Sequence, residues 1–194
     1  MKLTIIGASG HGKVVAEIAR LNGYDDIVFL DDNPSIRSCG SYPVIDSTDR
    51  FIDGDCFVAI GNGKIRERLS QNRKLISLIH PNAVVAKDVI IGLGTVIMPG
   101  VVINPGTIIG KGCIINTSSS VDHDCVIGDY VHIAVGAHLC GTVSIGDQTW
   151  VGAGATVINN ICVCDECMIG AGSVVIRTID RKGTYFGVPA KEKI

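Results

Sequence analysis

Residues 91–109 read Ile91-Gly92-Leu93-Gly94-Thr95-Val96-Ile97-Met98-Pro99-Gly100-Val101-Val102-Ile103-Asn104-Pro105-Gly106-Thr107-Ile108-Ile109. An aliphatic residue stands at every sixth place: Ile91, Ile97, Ile103 and Ile109. The series runs down through Val85 to Ile79. It runs up through Ile115, Val121, Ile127, Ile133, Leu139, Ile145, Val151, Val157, Val163 and Ile169 to Val175, making seventeen positions without an insertion. If aliphatics filled a third of places at random, such a series would arise with a probability of roughly 10⁻⁸. A period of six fits neither a helix nor a hairpin array. It fits a parallel β-helix whose coil is a triangular prism, each side a short strand and each corner a turn. The sixth-place aliphatics are expected to point inward and stack on their equivalents above and below.

Two details support the prism. Glycine follows the aliphatic at Gly92, Gly110, Gly128 and Gly146, one coil of three hexapeptides apart, and again at Gly152 and Gly170. Such a place calls for positive φ or for close approach of backbone. The residue four places after the aliphatic is usually small, as at Ala83, Thr95, Cys113, Cys125, Ala137 and Ser173. Outside the prism, flat aliphatic stretches such as Val101–Val102 are expected to suit packing against another prism.

Working outward, the charge density changes near Ser77–His80. Residues 1–78 carry 20 charged side chains and residues 79–179 only 10. Two architectures are therefore joined, with boundaries expected at 1–77 and 78–194. In the first, Lys2–Ile6 reads as a strand and is followed by Gly7-Ala8-Ser9-Gly10-His11-Gly12. Lys13–Leu21 reads as a helix, Ile27–Leu30 as a strand ending in Asp31-Asp32, Phe57–Ile60 as a strand ending in Gly61-Asn62-Gly63, and Ile65–Gln71 as a helix. This is a small Rossmann-like β-α-β unit. Its glycine turn can bring a diphosphate to a helix N-terminus, and acids after the second strand can take ribose or base donors. The spacing is G-x-x-G-x-G, not the dinucleotide fingerprint, so a turn with a purely structural role is the alternative. The carboxylates and Gly61-Asn62 fall at the same carboxyl edge, which favours a nucleotide or nucleotide sugar.

Of the 194 residues, 17 are Lys or Arg and 19 Asp or Glu, a near-balance that argues against nucleic-acid binding. No apolar run approaches a membrane span, and residues 1–15 make a poor signal peptide. A cytoplasmic protein is expected, with its 8 cysteines as reduced thiols.

Chemistry concentrates on Ser120-Val121-Asp122-His123-Asp124-Cys125. Val121 and Cys125 face inward by register, which leaves His123 on a turn between two carboxylates. A carboxylate on one ring nitrogen raises the basicity of the other, as acyl transfer to an amine or hydroxyl requires. A solvated polar turn is the plain alternative. His132 lies half a coil on, where it can reach a neighbouring prism more readily than His123 in its own. Trp150 is 18 residues after His132 and is expected one coil above it. Asn116 is placed either to orient a substrate or to build an asparagine ladder. Cys162-x-Cys164-x-x-Cys167 has zinc-like spacing, but Cys167 occupies an inward place and no clear fourth ligand is near, so no metal is expected.

The whole chain resembles the PglD/NeuD-type sugar acyltransferases, hexapeptide-repeat proteins that join a nucleotide-sugar domain to a left-handed β-helix. The likeness rests on Gly7–Gly12, Phe29–Asp32, Ala59–Asn62, Asn116–Ser119, His123–Gly128 and Gly187–Lys191, and it is strongest to the branch acting on UDP-linked 4-amino sugars in bacillosamine synthesis. The resemblance implies a left-handed coil, a homotrimer and acetyl-CoA lying between adjacent prisms. It implies His123 as general base, tuned by Asp124 where that branch carries Glu. It implies contacts to a UDP-amino sugar from Ser9, Gly10, His11, Asp31, Asp32, Gly61 and Asn62, and contacts to acetyl-CoA from His132, Ala153 and Ala171. The rival readings are O-acetylation of sialic acid or another glycan hydroxyl, and a zinc-dependent β-helix hydratase using His123, His132 or His138.

Overall fold

A computed structural model describes residues 1–193. The N-terminal region is a parallel sheet of β1 (Lys2–Ile6), β2 (Asp26–Leu30), β4 (Tyr42–Asp46), β5 (Asp55–Val58) and β6 (Lys74–Leu75), extended at one edge by β3 (Ser38–Cys39). Its order is β3-β4-β2-β1-β5-β6, with only β3 antiparallel. The central strand β1 is the most continuously buried because parallel strands are covered on both faces. Helix α1 (Gly10–Leu21) lays Val15, Ala16, Ile18 and Ala19 on the sheet, and α2 (Gly63–Ser70) follows β5. Both helices start earlier than the sequence reading placed them, since each begins on a glycine beside its N-cap residue, Ser9 or Asn62. The third strand lies at Asp55–Val58 rather than Phe57–Ile60. The β3–β4 hairpin was absent from the sequence reading: it is short, contains Pro43 and is only half-buried, so its pattern is faint.

Seventeen two-residue strands follow, from Leu78–Ile79 to Val174–Val175. Up to Thr156–Val157, each pairs in parallel with the strand 18 residues on, as Val96–Ile97 does with Ile114–Ile115, giving three flat faces. The chain is thus a small α/β domain joined to a parallel β-helix. From Ile97 to Val175 the sixth-place aliphatics are buried inside the prism. In the first coil they are not: Ile79 is 39% exposed, because no coil lies beneath it. There the side-chain amide of Asn22, at the end of α1, takes the place of a neighbouring strand. Its Nδ2 donates to the Ile79 carbonyl at 2.9 Å and its Oδ1 accepts the Ile79 N–H at 3.3 Å.

The corners settle what each glycine does. Positive φ falls three places after the inward aliphatic, at Gly94, Gly100, Gly106 and Gly112 and then also at Ser118, Asp124, Tyr130 and others. Gly110, Gly128 and Gly146 answer instead to close approach, each lying against the carboxylate of Asp129, Asp147 or Asp165 one coil up. Those carboxylates climb one corner as a ladder, Asp129 accepting the Lys111 N–H at 3.0 Å and Asp147 the Asp129 N–H at 2.8 Å. The small inward residues carry hydrogen-bonding groups matched to the coil above: Thr107 Oγ1 donates to the Asp122 carbonyl at 3.0 Å, and Cys125 Sγ to that of Cys140 at 3.2 Å. Val101 is one of these inward residues, fully buried, so only Val102 of the expected Val101–Val102 surface faces outward.

The N-terminal domain sits on the lower part of the first face. The outward side chains there, Leu78, Val96 and Ile114, are fully buried, and one apolar core runs through both architectures. On the other two faces the equivalent residues stay open, with Val84 at 63% and Ile90 at 60% exposure.

Candidate active site

His123 occupies an exposed corner between Val121 and Cys125, both buried in the prism. Its Nδ1 is 2.8 Å from Asp124 Oδ2. Asp124 stands on the left-handed corner position, φ 59°. On the other side Asp122 Oδ1 accepts the His123 N–H at 2.8 Å and Asn104 Nδ2 at 2.7 Å. The bond to Asp124, and then the charge of Asp122, raise the His123 pKa above its ordinary value. With Nδ1 engaged by a carboxylate, Nε2 is left as the proton acceptor. The ring rests against Gly141, one coil up, where a Cβ would lie 2.6 Å from both Cε1 and Nε2. Gly106, one coil down, makes the same room for the Asp124 carboxylate. Neither glycine was singled out in the sequence for this; the signal that finds them is the 18-residue offset from His123 and Asp124.

At the carboxyl edge of the N-terminal sheet, two of the turn glycines serve packing. A Cβ on Gly7 would lie 2.8 Å from the Ala59 carbonyl oxygen, and Gly12 is pressed onto the Gly7 carbonyl, whereas Gly10 faces open space. Ser9 is the N-cap of α1 yet makes no side-chain cap bond. Asp31 joins the turn to β2 by accepting the Ala8 N–H at 2.7 Å and the Asn33 N–H at 2.9 Å. Asp32 accepts both the N–H and the hydroxyl of Thr48 at 2.9 Å. A cavity of about 220 Å³ opens beside them, lined also by Arg37, Val44 and Asp46. Asn62 caps α2 through its Oδ1, which accepts the Ile65 N–H at 3.1 Å. The structure therefore gathers Ser9, Gly10, Asp31, Asp32, Gly61 and Asn62 at one sheet edge, the ligand-binding edge of such sheets.

Comparison with known proteins places this two-part architecture. The PglD N-terminal domain profile matches residues 2–72. The chain is 34% identical over 157 residues to GDP-perosamine N-acetyltransferase of Escherichia coli O157:H7, covering 73% of this chain and 71% of that protein. The chain belongs to the PglD family of sugar acyltransferases. It is also 38% identical over 111 residues to UDP-N-acetylbacillosamine N-acetyltransferase of Bacillus subtilis (strain 168), about half the length of each. The acetyltransferase domain of PglB from Neisseria gonorrhoeae FA1090, solved in complex with acetyl coenzyme A, superposes with a TM-score of 0.94 at 41% identity, covering 99% of this chain and 98% of that one.

In this PglD-family chain the two halves are bolted together by Arg66, which the sequence did not single out. Its buried guanidinium donates only to backbone: Nε to Gly112 at 2.5 Å, Nη1 to Ile60 at 2.7 Å and Gly61 at 2.9 Å, Nη2 to Tyr130 at 2.6 Å and Val131 at 3.3 Å. His132 lies beside it, 8% exposed. The expected reach of His132 toward a neighbouring prism is therefore corrected: its ring faces the domain junction, because the N-terminal domain covers that part of the first face. Asn116 orients it. Asn116 Oδ1 accepts the Thr117 N–H at 2.8 Å, so Nδ2 faces His132 Nε2 at 3.1 Å and the ring proton belongs on Nδ1. Both polar ends of Asn116 are thus engaged within the chain, and no asparagine ladder is formed. Burial, then the Arg66 charge, push His132 down to about 3 and His11 to about 4.

Trp150 pairs with His132 one coil up, as its spacing predicts, and the ring centroids lie 4.3 Å apart with the planes tilted by 38°. Ala153 and Ala171 are exposed on successive coils of one corner. Cys164 and Cys167 approach at 3.5 Å between sulfurs while Cys162 is exposed, and among the described residues no three His, Cys, Asp or Glu side chains are placed to share a metal ion. Also among the described residues, no helix is long and apolar enough to cross a membrane.

Proposed function

We propose that this protein transfers the acetyl group of acetyl-CoA to the 4-amino group of a nucleotide-linked 4-amino-4,6-dideoxy sugar, with His123 as general base. The observation that carries the reading is the His123–Asp124 pair, whose 2.8 Å bond at Nδ1 leaves Nε2 free at an exposed corner. As the amine attacks the thioester carbonyl, the C–N bond forms and Nε2 takes the ammonium proton. The tetrahedral intermediate then expels the CoA thiolate, which recovers the proton from the imidazolium, giving amide and thiol. Ser9, Gly10, His11, Asp31, Asp32, Gly61 and Asn62 hold the nucleotide sugar. The exposed corner that carries Ala153 and Ala171 takes acetyl-CoA.

The reading also includes a homotrimer, with acetyl-CoA in the groove between adjacent prisms. Its support is the open aliphatic surface of the second and third faces, where Val102 is 38% and Ile108 45% exposed. The working compartment is the cytoplasm, where acetyl-CoA and nucleotide sugars are made.

The nucleotide is read as UDP from the bacillosamine likeness. GDP is a second reading, favoured by the 34% identity to a GDP-perosamine enzyme. A panel of UDP- and GDP-linked 4-amino sugars, with free sialic acid beside them, tests both. Acetylation of a 4-amino sugar at a rate that falls more than about a hundredfold in His123→Ala supports the reading. Transfer to sialic acid alone, or an unaffected His123→Ala enzyme, overturns it.

A further inference from the structure

We propose that Trp150 is the platform on which the sugar ring of the substrate lies, and that it selects a pyranose with an apolar 6-deoxy edge. This rests on the amino-sugar reading above and adds a specificity-determining residue to it.

Trp150 marks the limit of the N-terminal domain's cover. Below it on the first face Leu78, Val96 and Ile114 are fully buried and His132 is 8% exposed; Trp150 is the first outward side chain to emerge. It emerges at the substrate edge, with Cη2 only 3.5 Å from the place of a Gly61 Cβ, in the turn that also carries Asn62. A cleft of about 240 Å³ opens there between the start of α2 and the prism, lined by Asn62, Lys64, Gln148, Trp150 and Met168. It is small for a whole nucleotide sugar and matched to one hexose ring.

Its walls are unlike. Trp150 and Met168 are apolar, whereas Asn62 and the ion pair of Lys64 with Glu166 are polar. A deoxy sugar has the same two-sidedness, a methyl and axial C–H groups on one side and hydroxyl donors on the other. The indole is also pre-set. It packs in a tilted contact on His132, which Asn116 holds in turn, so little side-chain freedom is lost when a sugar binds.

Trp150 is the single tryptophan of the chain, so intrinsic fluorescence reports on it alone. The experiment titrates the full-length protein, excited selectively at tryptophan, with UDP, with GDP, with each nucleotide-linked 4-amino sugar, and with acetyl-CoA. The expected result is an emission change with a nucleotide amino sugar and none with either nucleoside diphosphate or acetyl-CoA alone. In parallel, Trp150→Ala raises KM for the nucleotide sugar about tenfold, leaves KM for acetyl-CoA and kcat within about twofold, and is largely rescued by Trp150→Phe.

An unchanged emission when calorimetry registers the sugar nucleotide bound overturns the proposal, as does a response to acetyl-CoA alone. So does an unaltered sugar KM in a folded Trp150→Ala protein. Acetyl transfer with no tryptophan response defeats the platform and leaves the enzyme reading standing. Absence of both transfer and response across the panel defeats both.

Discussion

The imidazole of His123 lies against Gly141, the residue one coil further along the same corner, at a separation that leaves no room for a methyl group. The proposed base is therefore shaped by a residue that contributes no side chain. Gly141→Ala is expected to turn the ring off the corner and to lower kcat at least tenfold, a barrier increase of about 1.4 kcal/mol. The prism should stay intact, because the alanine methyl would point outward with the ring. Steady-state kinetics and circular dichroism on the same preparation check this; full activity with alanine at 141 refutes it.

Asp124 should show itself in the pH profile. In the proposed role His123 works unprotonated, so kcat/KM is expected to rise with pH through its pKa, which Asp124 and Asp122 hold above the ordinary value. Asp124→Asn removes the larger cause. The rising limb is then expected to move to lower pH, while the plateau falls because the ring is a weaker and less well-aimed base. A limb that stays in place assigns the titration to another group.

Arg66 carries a different kind of load. Five backbone carbonyls from both domains converge on its guanidinium without a carboxylate among them. Arg66→Met strands those acceptors at the junction and is expected to lower unfolding stability by about 3 kcal/mol. Arg66→Lys should recover little, since a single ammonium cannot span the two sides that the planar fork bridges. Urea unfolding of the three proteins measures both effects.

The same junction predicts an acid-sensitive window. His11 and His132 are held to about 4 and about 3 in the folded chain, against an ordinary 6.5. Above pH 6.5 both are neutral folded or unfolded, and neither affects stability. As pH falls below that value the unfolded chain binds protons that the folded chain refuses. Stability then declines by up to about 1.4 kcal/mol per pH unit for each histidine, until the folded values are reached. Urea midpoints at about pH 7.5, 6 and 5 should fall in that order, and less steeply in His132→Gln.

What could be read from the sequence follows from how the two halves store their information. The prism repeats, so one inward aliphatic every six residues is enough to place His123 on a corner and Trp150 over His132 before any coordinates are seen. The repeat also blurs function: Gly141 and Gly106 look like ordinary corner residues until their neighbours one coil away are known. In the N-terminal domain the signals are local. The buried strand β1 and the glycine turn are plain, whereas the half-buried hairpin of β3 and β4 leaves no alternation to read. Arg66 was hidden for a third reason. A helical arginine normally means a solvated face, and only the docking of two domains turns it inward. The burial of His132 is illegible on the same ground, as it depends on a domain more than fifty residues away in sequence.

Asn22 carries one more consequence. A stack of parallel coils has an unpaired strand at its base, and an unpaired strand is a template onto which another molecule can add. By bonding both backbone groups of Ile79 with one amide, Asn22 blocks that template at its outermost residue. Head-to-tail polymerisation into fibrils is thereby hindered, and a protein that lost this plug would be expected to grow insoluble filaments while each subunit kept its native shape.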